Sequence, residues 1–185
     1  MTQPSAPAFS LATGEFLELV REGHWEYARR TNSPGAVVLV PVTHDGCLVL
    51  IEQYRIPVHC RVIELPAGLI GDSHDDAGET VEDAARRELL EETGFHAWDL
   101  RELTSGPPSA GMASEVVTFL LASRLEHTGT GGGVHTEQIT VHTVPLPRVV
   151  RWLEERRDEG VLVDPKVFAG LFFAERFAQG HVGPV

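Results

Sequence analysis

Two spacings of apolar residues organise this chain. Ala36–Val42 and Val116–Ala122 are short runs of β-branched and aliphatic residues, with the length and composition of strands buried on both faces. Cys47–Gln53 follows the first run across Asp45-Gly46, a dipeptide suited to a tight reversal, so a hairpin is expected there. Arg61–Leu65, stopped by Pro66, and Ile139–Val144 are further strand candidates. Helical spacing governs the segment from Thr80 to Gly94. Val81, Ala84, Ala85 and Leu89 fall on one side of a 3.6-residue period and form an apolar stripe. Thr80 with Asp83 three residues on reads as a capping box, and Gly94 suits the left-handed position that ends a helix. Residues 147–158 and 165–178 also read as helical, the second opening on Pro165. The Pro/Ser/Ala-rich residues 1–10 are expected to be a disordered tail, and residues 14–30 mix polar and aromatic positions without a clean period. Strands interleaved with helices indicate one α/β domain with a mixed sheet, spanning about residues 11–180.

Composition narrows what such a domain can do. At 185 residues and 42% hydrophobic content, one well-buried core is the default. No apolar run approaches membrane-spanning length, and the N-terminus lacks the basic and apolar regions of a signal peptide, so no membrane partner is expected. Two cysteines, Cys47 and Cys60, are too few for a disulfide framework, which suits a reducing cytoplasm. The net charge of −12, from 27 acidic and 15 basic residues, argues against a nucleic-acid backbone as ligand. A phosphorylated substrate must therefore be met by local cations and not by the overall field.

The chemistry concentrates on the capped helix. Residues four apart lie about 40° apart around a helix axis, so Glu88 and Glu92 share a face. Glu91 is three residues from Glu88 and four from Arg87, at ion-pairing distance from that arginine. Carboxylates this close repel unless a cation sits among them. A hard divalent ion with oxygen ligands is the natural partner, and Mg²⁺ commonly takes one or two carboxylates and leaves other positions to water and phosphate. A solvated acidic helix face is the alternative. Thr128–Gly133 (TGTGGG) lacks the Lys-Ser/Thr of a phosphate-binding P-loop and precedes no helix, so it reads as a flexible loop.

The run Arg87-Glu88-Leu89-Leu90-Glu91-Glu92-Thr93-Gly94-Phe95 resembles the REUxEExGU core of the Nudix hydrolases at each fixed position. Ten residues, Leu69 to Gly78, separate Gly68 from Glu79, a longer spacer than that family usually has. It reads as a surface bulge, with Asp72, His74, Asp75 and Asp76 as the residues that a metal-side role would recruit. Within the family, the chain is similar to the ADP-ribose pyrophosphatase group. The likeness rests on Val49–Arg55 followed by Glu64–Gly68, Ser109–Glu115, Glu137–Val141 and Val163–Phe168.

That resemblance implies an α/β/α sandwich, usually a homodimer in which a segment at about residues 11–33 contacts the partner. It also implies metal-assisted hydrolysis of the diphosphate of ADP-ribose or a related nucleoside diphosphate sugar. Glu88, Glu92 and the Ala67 carbonyl become Mg²⁺ ligands, with Mn²⁺ as a substitute. Glu91 either ligates a second ion or braces the ligands through Arg87, and Arg87 orients carboxylates. Glu137 becomes the general base, or positions the water, with a plain surface glutamate as the alternative reading. Arg55 matches a phosphate-contacting arginine, or else forms a surface ion pair. Trp25 matches a tryptophan that stacks on the base, with Glu26, Arg30 and Gly111 nearby. Ala110 stands where the ADP-ribose group has proline, which keeps UDP- and GDP-sugars open as substrates. A non-catalytic nucleotide-sugar sensor is the reading from a different class.

Overall fold

The computed structural model describes residues 6–71, 78–133 and 138–181. The chain begins with three antiparallel strands, β1 (Ala8–Thr13), β2 (Leu17–Glu22) and β3 (Trp25–Arg30). Ala8 pairs with Glu22 and Phe9 with Arg21, so residues 8–10 belong to a strand and not to the expected disordered tail. The apolar side chains of these strands are mostly exposed, which is why no alternation of buried and polar positions marks them in sequence.

β4 (Ala36–Pro41) leads through a tight turn into β5 (Cys47–Arg55). Gly46 takes φ 78°, and its N–H donates to the Thr43 carbonyl at 3.0 Å, so the reversal falls where Asp45-Gly46 placed it. The two strands do not form a hairpin, however. They share a single bridge, Val42 with Leu48, and then part into different sheets. Next come β6 (Cys60–Glu64), β7 (Ala67–Leu69), α1 (Val81–Thr93) and β8 (Phe95–Gly106). The rest is β9 (Val117–His127), β10 (Thr140–Pro145), α2 (Val149–Asp158), β11 (Leu162–Val163) and α3 (Lys166–Ala178).

One sheet runs β7-β4-β9-β8, with β4 and β9 parallel. The other runs β10-β5-β6-β11, with β6 and β11 parallel, so both are mixed. The parity of β4 shows how the layers stack. Val37 and Leu39 pack with Ala84, Ala85 and Leu89 of α1, and the alternate residues Val38 and Val40 pack with Leu50, Ile63, Leu171 and Phe173. The first sheet is thus covered by α1 on one face and by the second sheet and α3 on the other. Each fully buried valine or leucine contributes about 1.5–3 kcal/mol to holding that stack.

α1 starts and stops as its sequence dictates. The Thr80 hydroxyl accepts from the Asp83 N–H at 3.2 Å and donates to the Asp83 carboxylate at 2.6 Å. Gly94 ends the helix at φ 75°, its N–H reaching the Leu90 carbonyl at 2.9 Å. Among the described residues no helix is long and apolar enough to cross a membrane.

Candidate active site

The acidic face of α1 is not turned to water. Glu88 is 9% exposed and Glu92 4%, because β7 crosses directly over them. The Ala67 N–H donates to Glu92 Oε2 at 2.9 Å, which fixes one carboxylate to the backbone of β7. One residue on, Gly68 lies so close to Glu88 that a Cβ there would fall on the carboxylate. A glycine at this point is therefore a requirement of the contact itself.

Arg87 holds the group together. Its Nη1 donates to Glu88 Oε1 at 2.8 Å and reaches Glu91 Oε2 at 3.4 Å. Its Nε and Nη2 grip both oxygens of Glu79, at 2.8 and 3.1 Å, in a bidentate fork, and Nη2 also donates to the Leu69 carbonyl at 3.1 Å. Glu79 in turn accepts from the Gly71 N–H at 2.8 Å. The long spacer is thereby tied at its base, with both ends fastened to one guanidinium, while Asp72, His74, Asp75 and Asp76 lie outside the described residues. The Glu79 hydrogen bond is the main reason Arg87 is held far above its ordinary pKa, and it is permanently charged. Arg87 likewise holds the Glu79 carboxyl below the usual glutamate range, against the opposing effect of burial.

The donors suit a hard divalent cation. Glu88, Glu91 and Glu92 supply only oxygen, and the backbone at Ala67 and Gly68 runs against two of them. Among the described residues no three acidic, histidine or cysteine side chains already converge on one point. In this arrangement the Arg87 guanidinium provides positive charge beside Glu88 and Glu91.

The glycine loop at 128–133, expected to be flexible, is fastened to the end of α1. Gly132 N–H donates to the Glu92 carbonyl at 2.9 Å and Gly133 N–H to the Glu91 carbonyl at 3.0 Å. Thr128 and Gly129 both donate to the Gly94 carbonyl, at 2.9 and 3.0 Å. The loop thus satisfies the open carbonyls at the C-terminal end of α1, directly behind the carboxylates. The fit leaves no room for a side chain at Gly131, where a Cβ would come within 2.6 Å of the Thr93 backbone.

The residues expected to bind substrate fall in two places. Trp25 and Gly111 line one groove of about 580 Å³ between the N-terminal sheet and the 110–114 loop, together with His24, Tyr27 and Ser114. The Ala28 N–H donates to Met112 O at 2.8 Å and the Ser114 N–H to Ala28 O at 3.0 Å, so this loop is stitched to β3. Glu26 pairs with Arg21 at 2.9 Å and Arg30 with Glu115. Arg55 takes the ion-pair option, its Nη2 lying 2.8 Å from Glu64 Oε2, while Gln53 donates to the same oxygen at 3.1 Å. Glu137 lies outside the described residues. Sequence reasoning named Glu79 and Gly68 only as letters of a motif and gave neither a role. Glu79 directly precedes the helix cap, and that position was the available signal.

The Nudix domain family matches residues 32–163. A methanol dehydrogenase activator of Bacillus methanolicus is 30% identical over 125 residues, covering 67% of this chain and 65% of that protein. An ADP-ribose pyrophosphatase of Bacillus subtilis (strain 168) is 39% identical over 92 residues, 50% of this chain and 47% of that one. A GDP-mannose pyrophosphatase of Klebsiella pneumoniae is 31% identical over 129 residues, covering 65% and 62%. The chain therefore spans roughly half to two thirds of the length of these relatives. A solved structure described as an ADP compounds hydrolase superposes with a TM-score of 0.71 at 24% identity, covering 97% of this chain and 96% of that one, a match of fold. The matched span covers more than half of the chain, and it includes α1 with its Gly68 contact: the chain belongs to the Nudix family.

Proposed function

We propose that this chain hydrolyses the diphosphate bond of ADP-ribose or a related nucleoside diphosphate sugar, releasing a nucleoside monophosphate and a sugar phosphate. The observation that carries this reading is the pair of buried carboxylates, Glu88 and Glu92, pressed against the backbone of Ala67 and Gly68. Burying two carboxylates side by side is costly unless hydrogen bonds, a paired arginine or a bound cation meets their charge.

Glu88, Glu91, Glu92 and the Ala67 carbonyl would hold Mg²⁺, or Mn²⁺ in its place. When bound, the ion supplies Lewis-acid polarisation of the diphosphate and a more acidic water. Arg87 keeps Glu88 and Glu91 aimed, acting as a positioning residue. Glu137 takes the proton of the attacking water as oxygen bonds to phosphorus, and the bridging oxygen leaves with the departing phosphate. Arg55 reaches the phosphates by exchanging Glu64 for substrate oxygens, a bidentate swap that its fork allows. Trp25 stacks on the base in the groove shared with Gly111, with Glu26 and Arg30 at its edges. The exposed apolar side chains of the N-terminal sheet, Phe9, Leu17 and Leu19 among them, support a homodimer through this segment. The cytoplasm is the proposed compartment, in keeping with two free cysteines.

The test is a hydrolysis screen over ADP-ribose, UDP-glucose and GDP-mannose with Mg²⁺, run beside Glu92→Gln. ADP-ribose turnover is expected, and Glu92→Gln should lower it on the order of a hundredfold or more. If both proteins are equally inactive on every compound while still binding it, the hydrolase reading fails. A tenfold preference for UDP-glucose or GDP-mannose overturns the substrate instead.

A further inference from the structure

A second concave site, lined by none of the carboxylates Glu88, Glu91 and Glu92, lies where the C-terminal end of β4 meets α1, β8, β9 and α3. Its volume is about 610 Å³, and its lining includes Arg86, Arg101, Arg124, His44 and Trp98, with Asp99 as its one carboxylate among the described residues. Three guanidiniums less one carboxylate leave two positive charges, gathered on a chain whose net charge is −12.

These arginines are not consumed by ion pairs as Arg87 is. Arg86 donates to the Ala97 carbonyl and, at 3.5 Å, to the Trp98 carbonyl, contacts that aim the guanidinium, and it has no ion pair among the described residues. Arg101 has no ion pair among the described residues. Arg124 meets Asp99 at 3.5 Å with both side chains more than half exposed, a pair that water screens heavily. The Arg124 backbone sits at φ 52° inside β9, a left-handed conformation that arginine adopts only at a cost and that recurs at ligand sites. Trp98 is 57% exposed, with its indole N–H held by Glu126 at 3.1 Å and its ring set edge-on to His96. A fixed, wetted indole beside guanidiniums that hold at most one screened ion pair offers a stacking face next to an anion site.

We propose that this cavity binds a nucleoside monophosphate. Two net positive charges match a phosphate monoester dianion, Trp98 takes the flat ring, and the volume falls in the range of small-ligand pockets. A nucleic-acid strand is disfavoured by the chain's net charge of −12. The site is separate from the groove beneath Trp25 and stands whether or not the chain is a hydrolase.

The test is calorimetric titration of the full chain with AMP and, in parallel, inorganic phosphate, in chelator to keep metal out. A Trp25→Ala background removes stacking in the other groove. AMP should bind at least tenfold more tightly than phosphate, and Arg101→Glu should weaken AMP tenfold or more. Trp98→Leu should bring AMP down to the affinity of phosphate. Arg124→Gly should weaken AMP without lowering the melting temperature, because glycine accepts φ 52° freely. No AMP binding, or AMP binding that Arg101→Glu leaves unchanged, overturns the site. Equal affinity for AMP and phosphate overturns the nucleotide.

Discussion

Gly68 shows how much one residue decides. The space where its Cβ would stand is filled by the Glu88 carboxylate, so Gly68→Ala must push that carboxylate aside. Glu88 has a flexible stem, so the fold absorbs the change while the oxygen position is lost. Hydrolysis by Gly68→Ala should drop on the order of a hundredfold. Its melting temperature should move by no more than about 4 °C, the equivalent of about 1 kcal/mol or less. A loss of melting temperature large enough to account for the lost activity would make the glycine structural only. The sequence marked Gly68 as a motif position, but the contact that explains it spans 20 residues and needed coordinates.

At the scale of the element, α1 is the most legible piece of the chain. Its cap, stripe and stop were each readable because they depend on residues within one or two turns of each other. Thr80→Ala should cost about 1 kcal/mol, measured as a shift in urea midpoint at unchanged slope. The burial of Glu88 and Glu92 was not legible, since β7 covers them from a distant part of the chain. Nor was the work of the glycine loop, which caps α1 from behind. Gly131 takes φ 63° against the Thr93 backbone, so Gly131→Ala should cost about 1–3 kcal/mol in the same denaturation measurement. It should also lower activity, because the loop's cap sits on the carbonyls of Glu91 and Glu92.

Across the whole molecule, the second sheet is pinned by a buried charge. Glu52 on β5 is 8% exposed and is held by Arg61 of β6 and by His142 Nε2 of β10 at 2.9 Å. Burial raises its carboxyl, but the hydrogen bonds from Arg61 and His142 outweigh that and leave it below the ordinary glutamate value. A depressed folded value means the stabilisation is present above the unfolded pKa, about 4.3, and is lost as pH falls through the folded one. Urea midpoints measured from pH 7 to pH 3 should therefore fall at the acid end. Glu52→Gln should be less stable at pH 7, and its deficit should shrink towards pH 3. A constant deficit across that range would show that Glu52 stabilises by packing alone.

Local pattern determined the long buried strands, the capped helix, the turn at Asp45-Gly46 and the family, because each is written in neighbouring residues. Tertiary structure alone decided that β4 and β5 part into two sheets, since both strands are apolar on both faces and either pairing would satisfy the pattern. It also decided the N-terminal sheet and β8, whose backbone pairing needs no buried stripe to betray it. Above all, it turned an acidic helix face inward. A sequence shows that three carboxylates share a face, but only the chain folded over them shows whether water or backbone lies opposite.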